Sequence, residues 1–144
     1  MRAPTKSSLL LSVPELELKN VVVPNSSDQA VLDRAGIMHL AGTGFPRQQD
    51  SNTYIAGHAL SDDSSRVPHV FRDLEDLRRG DRVVLRDRAG KAYTYEVYEA
   101  FVVGPYDYWV TQPLPGERVV SLQTCWPAPT CERRLIVRTE LVAS

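Results

Sequence analysis

The chain has 144 residues, of which 42% are hydrophobic and 24% are charged, and its formal net charge is -1. This size and balance fit one folded globular domain and exclude disordered and fibrous proteins. Nucleic-acid binding needs Lys and Arg clustered on one face. The basic pairs of this chain, such as Arg78-Arg79, lie within mixed sequence, so no nucleic-acid partner is expected.

The first half of the chain consists of short apolar segments separated by turn-forming residues, which is typical of β-strands. The first predicted strand comprises residues 21–23. A short helix is predicted over residues 29–34, where residues 26–28 can cap its start and Gly36 can end it. A further strand comprises residues 52–58 and terminates in His58.

The second half repeats this pattern of strands and turns. Apolar side chains of residues 70–77 recur at helical intervals, which predicts one or two turns of helix. The remaining predicted elements are a hairpin of residues 82–86 and 93–98 around a loop at 87–90, an extension of its second strand to residue 103, and strands over residues 118–125 and 135–137. Seven or eight strands with one or two short helices predict an all-β domain folded as a closed β-barrel.

Neither a membrane span nor a metal site is predicted. The apolar stretch at residues 9–13 ends at Pro14 and is far shorter than the roughly 18 residues that a span requires. We therefore expect a molecule that is soluble as given, with any membrane anchor lying upstream of Met1. Cys125, Cys131 and the scattered histidines lack the paired spacing of zinc ligands, so no metal and no other cofactor is expected.

Three predicted strand ends carry groups that together could attack a peptide carbonyl: His58, Cys125 and the Arg133-Arg134 pair. A thiolate is the nucleophile, an imidazole can accept its proton, and a guanidinium can stabilise an oxyanion. Taken singly, each group also has a structural interpretation, as a core cysteine, a core histidine or a solvated arginine. Arg134 is the better candidate because it directly precedes the apolar residues 135–137, and neighbours on a strand face opposite ways.

The sequence around these groups resembles the sortases, the bacterial cysteine transpeptidases. The resembling segments are residues 52–58, which end in Ala-Gly-His; residues 71–74 and 77–81, which are similar to a connecting segment; residues 121–125, Ser-Leu-Gln-Thr-Cys; and residues 134–138, the late strand with the arginine. The cysteine segment matches the family's Thr-Leu-x-Thr-Cys except for Ser121. The order His, Cys, Arg is also that of the family.

The resemblance implies a role for each residue. Cys125 would attack the threonine carbonyl of a Leu-Pro-x-Thr-Gly-like or Leu-Ala-x-Thr-Gly-like sorting signal and form a thioacyl intermediate. His58 would protonate the leaving amine and later activate the incoming one. Arg134, with Arg133 as the second candidate, would hold the substrate or stabilise the oxyanion. Thr124 resembles the threonine that lines the substrate groove.

The implied partners are the sorting-signal peptide of a surface protein and an amine acceptor, such as a peptidoglycan precursor or a pilin lysine. The implied location is extracytoplasmic, with a membrane anchor in the full-length protein. The resemblance spans about residues 21–141, so we assign residues 21–144 to the catalytic domain and residues 1–20 to an N-terminal extension.

The branch of the family is indicated by the residues after the nucleophile. Trp126-Pro127 and the short arm to Arg134 look more like sortase classes C, D and E than class A. The Asp-Pro-aromatic lid of the pilus-building class C enzymes is absent from the amino-terminal segment. The sequence therefore resembles a class E or class D sortase.

The sequence leaves several alternatives open. Cys131 is expected to be a free, partly buried thiol, although it could instead pair with Cys125 and mask it. The departure at Ser121 would also suit a non-catalytic peptide-binding barrel that retains the fold. Two loop segments, Asp62-Asp63 and the signal-like residues 40–44, are interpreted as a polar loop and a glycine-permitted turn.

Overall fold

The computed structural model describes residues 8–59, 69–127 and 130–144. Within these ranges the chain forms nine strands, one α-helix and three short 3₁₀ turns. The strands are β1 (Leu9–Val13), β2 (Leu18–Val23), β3 (Asn25–Ser26), β4 (Ile37–Leu40), β5 (Ser51–Gly57), β6 (Arg82–Arg86), β7 (Ala92–Val103), β8 (Arg118–Trp126) and β9 (Arg133–Ala143). The helix α1 comprises Gln29–Ala35, and the 3₁₀ turns comprise Pro14–Leu16, Leu74–Asp76 and Tyr108–Thr111.

These strands form one sheet in the order β2-β1-β6-β7-β9-β8-β5-β4-β3. Strands β2 and β4, which lie at or beside the two edges, come into contact, so the sheet curls into a nearly closed barrel. β5 and β8 run parallel, whereas β9 is antiparallel to both β7 and β8. The prediction of an all-β barrel with few short helices is confirmed.

Alternation of side chains along the central strands separates an inner from an outer face of the sheet. Val120 and Leu122 of β8 lie in the core inside the barrel. On the outer face, Tyr54 of β5 and Ile136 of β9 pack against Val110, which belongs to the connection between β7 and β8. Burial of each such side chain contributes roughly 1.5–3 kcal/mol. This packing fixes the connection against the outer face.

Helix α1 begins and ends as its sequence predicts. The Asp28 side chain accepts a hydrogen bond of 2.9 Å from the Ala30 amide, which satisfies one of the helix's first N–H groups. Gly36 adopts a φ of +85° and donates its amide to the Leu32 carbonyl. The helix then leads directly into β4.

Two elements differ from their predictions. β1 precedes the first predicted strand and pairs with both β2 and β6, although its apolar run is interrupted by Pro14. Residues 70–77 form turns and one 3₁₀ turn instead of a regular helix. Their apolar side chains nevertheless reach the core, as the helical spacing requires: Val70, Phe71, Leu74 and Leu77. The boundary at residue 20 between an extension and the catalytic domain stays a prediction.

Candidate active site

Three neighbouring strands bring the predicted cysteine, arginine and histidine to one end of the sheet. Cys125 on β8 lies directly opposite Arg134 on β9. Directly opposed residues of an antiparallel pair project from the same face. In the parallel pair of β5 and β8, Ala56 aligns with Gln123, so His58, one residue beyond β5, is level with Cys125.

His58 is held by its backbone and by a carboxylate of α1. Its amide donates to the Gly36 carbonyl and its own carbonyl accepts from the Phe71 amide, both at 3.0 Å. The imidazole Nε2 lies 3.2 Å from Asp33 Oδ1, and the same oxygen accepts a 2.9 Å hydrogen bond from Gln29. With Nε2 engaged as the donor, the neutral ring keeps Nδ1 available as a base.

The residue before His58 is a glycine because no side chain fits there. A Cβ atom on Gly57 would lie 2.5 Å from Cδ2 of Phe71 and 2.9 Å from Cγ1 of Val70. Phe71 is fully buried and therefore cannot move aside. The close approach of this segment to the end of β5 fixes the position from which His58 projects.

The two arginines of the pair lie in different environments. Arg133 is opposed to Trp126 and is exposed, and it faces the side of β9 away from Cys125. Arg134 is half-buried, and its Nη1 donates to the carbonyls of Cys131 and Arg133, at 3.0 and 2.9 Å. Arg134 thus lies opposite Cys125, but its guanidinium is turned towards the backbone carbonyls of Cys131 and Arg133.

The expectation of a free Cys131 thiol is wrong, because Cys131 forms a disulfide with Cys125. A hydrogen bond joins the described residues on either side of positions 128–129: the Cys131 amide donates to the Pro127 carbonyl at 2.7 Å. This turn brings the two Cα atoms to 4.7 Å, within the range that a disulfide spans. A spacing of six residues in sequence could not reveal this turn.

A small cavity of about 130 Å³ adjoins Cys125 at the mouth of the barrel. Thr124 and Leu135 line its inner wall, and Arg72 and Glu75 line its rim. Thr124 is buried, and its hydroxyl has no hydrogen-bond partner among the described residues. A buried hydroxyl without a partner carries a desolvation cost that a bound polar group can relieve.

The outer face next to this end carries a buried tyrosine. The Tyr54 hydroxyl donates to the side-chain oxygen of Gln123. Burial raises the pKa of Tyr54 above its ordinary value, while the nearby guanidinium groups of Arg138 and Arg134 partly oppose this rise. Tyr54 therefore stays protonated and keeps its role as a donor at any physiological pH.

The connection between β7 and β8 forms an aromatic rim beside this face. Trp109 stacks on Phe101 with ring centroids 5.7 Å apart, and Arg138 lies over both rings. Tyr106, Tyr108 and Trp109 are more than half exposed. This rim offers apolar contact area next to the outer face.

The signal-like residues 40–44 form a turn that leads out of β4. Gly42 has a φ of +90° in this turn, as the glycine-permitted interpretation requires. The other loop segment interpreted from the sequence, Asp62-Asp63, lies outside the described residues.

Among the described residues, no helix has the length and apolar content needed to cross a bilayer.

Fold and site together define the class of protein: a β-barrel that carries a cysteine, a histidine and an arginine at one end of its sheet. A family model, described as the sortase domain, matches residues 11–142. The chain belongs to the sortase family, whose members are cysteine transpeptidases.

Individual relatives agree with this assignment. Sortase SrtE1 of Streptomyces coelicolor is 28% identical over 96% of this chain and 41% of its own length. The putative sortase YwpE of Bacillus subtilis is 30% identical over 66% of this chain and 87% of its own length. Both matches agree with the class E-like or D-like resemblance. The chain spans about two fifths of SrtE1.

Solved structures resemble the fold over almost the whole chain. Sortase A from Corynebacterium diphtheriae has a TM-score of 0.84 and is 27% identical, covering 99% of this chain and 64% of that chain. Sortase C-3 from Streptococcus pneumoniae has the same TM-score at 28% identity, covering 99% of this chain and 66% of that one.

Sequence reasoning did not find Asp33. The residue is separated from His58 by 25 positions and occupies an exposed helical position of the kind that acidic residues commonly fill. The only signal available in the sequence was the helix itself, which precedes the histidine strand.

Proposed function

We propose that this chain is the catalytic domain of an extracytoplasmic sortase. It would cleave a Leu-Pro-x-Thr-Gly-like or Leu-Ala-x-Thr-Gly-like signal between Thr and Gly and transfer the new carboxyl group to an amine. The observation that carries the proposal is the opposition of Cys125 and Arg134 across β8 and β9, with His58 level with Cys125. Family membership supports the same chemistry.

The reaction begins with the reduced form of Cys125, because a disulfide sulfur cannot act as the nucleophile. The thiolate attacks the threonine carbonyl, and the negative charge that develops on the carbonyl oxygen is stabilised by the guanidinium of Arg134. The imidazolium of His58 gives its proton to the departing glycine amine, which leaves a thioester on Cys125. Neutral His58 then takes a proton from the incoming amine, which attacks the thioester and releases the thiolate.

Three further residues lie next to the cysteine, the histidine and the arginine of these steps. Asp33 orients the imidazole through Nε2, so that Nδ1 can exchange the proton. Thr124 faces the interior side of β8 and lines the cavity that also adjoins Cys125, and it offers its hydroxyl, which has no partner among the described residues, to a polar group of the signal that enters this cavity. Arg133 is given no role in the reaction, because it faces away from Cys125.

The choice between Pro and Ala in the signal, and the identity of the amine, are tested in one experiment. The reduced protein is incubated with quenched fluorescent peptides of both signal types and with triglycine or a lysine peptide as the acceptor. We expect cleavage of at least one peptide and a transfer product of the corresponding mass. The Cys125→Ala variant should lose the signal, since it lacks the nucleophile.

Equal fluorescence from wild type and Cys125→Ala would contradict the proposed transpeptidase activity. In that case, retained binding of the peptides would favour the non-catalytic peptide-binding barrel. One observation bears against that second candidate. The Ser121 hydroxyl, the departure from the family motif, donates to Asn52 Oδ1 at 2.7 Å in the buried outer layer of the sheet, so Ser121 has a structural role of its own.

A further inference from the structure

We propose that Cys131 is a resolving cysteine whose reversible disulfide with Cys125 switches the enzyme off by withdrawing two groups at once, the sulfur of Cys125 and the guanidinium of Arg134. The inference rests on the proposed function, since it regulates the same site. It adds to that function a modification site and a class of reactant, a dithiol that reduces the bond.

The first withdrawn group is the nucleophile. Cys125 lies at the end of β8 and its sulfur is bonded to Cys131. No thiolate exists in this state, and without a thiolate there is no attack on the signal carbonyl.

The second withdrawn group is the guanidinium of Arg134. Its Nη1 donates to the carbonyl of Cys131 at 3.0 Å, so the residue that masks the sulfur also accepts a hydrogen bond from the arginine. A second hydrogen bond to the Arg133 carbonyl keeps the guanidinium along the loop. The first of these hydrogen bonds depends on where the disulfide places the backbone of Cys131.

The loop conformation indicates that it will relax once the bond opens. Cys131 has a φ of +56°, in the left-handed region that side chains other than Gly, Asn and Asp rarely adopt. The amide of Cys131 and the hydroxyl of Thr130 both donate to the Pro127 carbonyl, and the disulfide adds the constraint that holds Cys131 in this left-handed conformation beside Cys125. We expect reduction to free this turn and to let Arg134 rotate towards the substrate.

A reductant can reach the bond from solvent. Thr130, Glu132 and Arg133 around Cys131 are exposed, and Cys131 itself is partly exposed. One thiolate of a dithiol attacks the Cys131 sulfur, the bond to Cys125 breaks, and Cys125 leaves as a thiolate. The second thiol of the reductant then displaces Cys131, so that the protein gains two electrons and two protons and the reductant becomes a cyclic disulfide. An oxidised dithiol reverses these steps.

The test measures peptide cleavage by wild type and by the matched Cys131→Ser variant, each equilibrated with dithiothreitol or with oxidised dithiothreitol. Intact mass and thiol alkylation report whether the bond is closed. We expect oxidised wild type to cleave at least about tenfold more slowly than reduced wild type, because only the thiolate attacks. Cys131→Ser should cleave at the same rate in both conditions, which excludes general oxidative damage.

Different outcomes reject the proposed function and the redox switch. If reduced wild type does not cleave the signal, the proposed function is rejected and the switch with it. If no disulfide forms under oxidised dithiothreitol, the switch is overturned and the proposed function stands. If wild type with a verified disulfide cleaves as fast as the reduced protein, the switch is overturned together with the role of Cys125 as the nucleophile.

The withdrawal of the Arg134 guanidinium can be measured separately from peptide cleavage. The side-chain N–H resonances of Arg134 should shift when wild type is reduced, because the hydrogen bond to the Cys131 carbonyl is released. No such shift is expected when the Cys131→Ser variant receives the same treatment. Identical Arg134 resonances in the two redox states of wild type would overturn the withdrawal of the guanidinium.

Discussion

Arg133 and Arg134 are adjacent in the sequence but occupy opposite faces of β9, and under the proposed function this difference gives them different roles. Arg134 opposes Cys125, whereas Arg133 opposes Trp126. A one-residue step along a strand reverses the side-chain direction. Only Arg134 can therefore reach an oxyanion that forms at Cys125.

We accordingly predict a large loss of activity for Arg134→Ala and a small one for Arg133→Ala. Removal of a donor to an oxyanion lowers kcat by about a hundredfold to a thousandfold. Steady-state cleavage of a signal peptide by the two reduced variants checks this. The prediction is wrong if Arg133→Ala is the more damaging substitution, and unchanged thermal unfolding of both variants would show that folding is not the cause.

Asp33 contacts the imidazole of His58 but adds little to the stability of the fold. Its carboxylate is more than half exposed, so its pairing with His58 contributes little to the free energy of unfolding. Under the proposed function its contribution is orientation, because it contacts Nε2 of the ring, and Gln29 donates a hydrogen bond to the same carboxylate. A residue can thus matter for the reaction while being nearly neutral for the fold.

At the scale of the element, the end of β5 is fixed by the segment packed across it. Gly57 lets Phe71 and Val70 approach closer than any side chain would permit. The backbone of His58 forms hydrogen bonds with the Gly36 carbonyl on one side and the Phe71 amide on the other. The position of His58 therefore depends on packing between elements that are distant in sequence.

This packing predicts the effect of Gly57→Ala. The added methyl group overlaps the buried Phe71 ring, and overpacking of this kind costs about 1–3 kcal/mol of the free energy of unfolding. Urea unfolding measures that loss, and peptide cleavage should fall as well because His58 is displaced. The double variant Gly57→Ala with Phe71→Leu should recover part of both losses, and the absence of any recovery would contradict the proposed contact.

At the scale of the whole molecule, a buried neutral histidine links the stability of the barrel to pH. His39 on β4 is fully buried and lies within 3.0 Å of the Asn25 amide and 2.9 Å of the Gly44 carbonyl. Burial lowers the pKa of His39 from 6.5 to about 4, and the hydrogen bond to Gly44 opposes this only in part. The folded protein therefore binds a proton at His39 only at a lower pH than the unfolded chain does.

The sign of the pH dependence follows from that difference. Above pH 6.5 His39 is neutral in both states, and its full contribution is present. As the pH falls towards about 4, the unfolded chain binds a proton that the folded protein does not, so the free energy of unfolding decreases by about 3 kcal/mol from this group.

Urea unfolding of wild type and of His39→Gln at several pH values checks this prediction. Gln can still donate to the Gly44 carbonyl but does not titrate. The decrease in unfolding free energy between about pH 7 and pH 4 should be smaller in the variant by about 3 kcal/mol. Parallel curves for the two proteins would contradict the assignment to His39, whatever their absolute stabilities.

Much of the barrel was predictable because its local patterns agree with the final structure. The hairpin of β6 and β7, the strands β8 and β9, and helix α1 with Asp28 and Gly36 at its ends follow from alternation, turn residues and capping. β1 was missed because its short run ends at Pro14, and its pairing with β6 joins segments far apart in sequence. The helical spacing at residues 70–77 indicated which side chains are buried but not the shape of the backbone.

The sequence by itself determined the set of reactive groups and their order, because a motif at the end of a strand is a local property. Tertiary structure alone decided that Asp33 contacts His58 and that Cys131 bonds to Cys125, whereas the opposition of Arg134 and Cys125 agrees with the preference already inferred from the sequence. Each depends on strand register or on the closure of a loop. Register and closure are set by the packing of the entire sheet, and no short stretch of sequence contains that information.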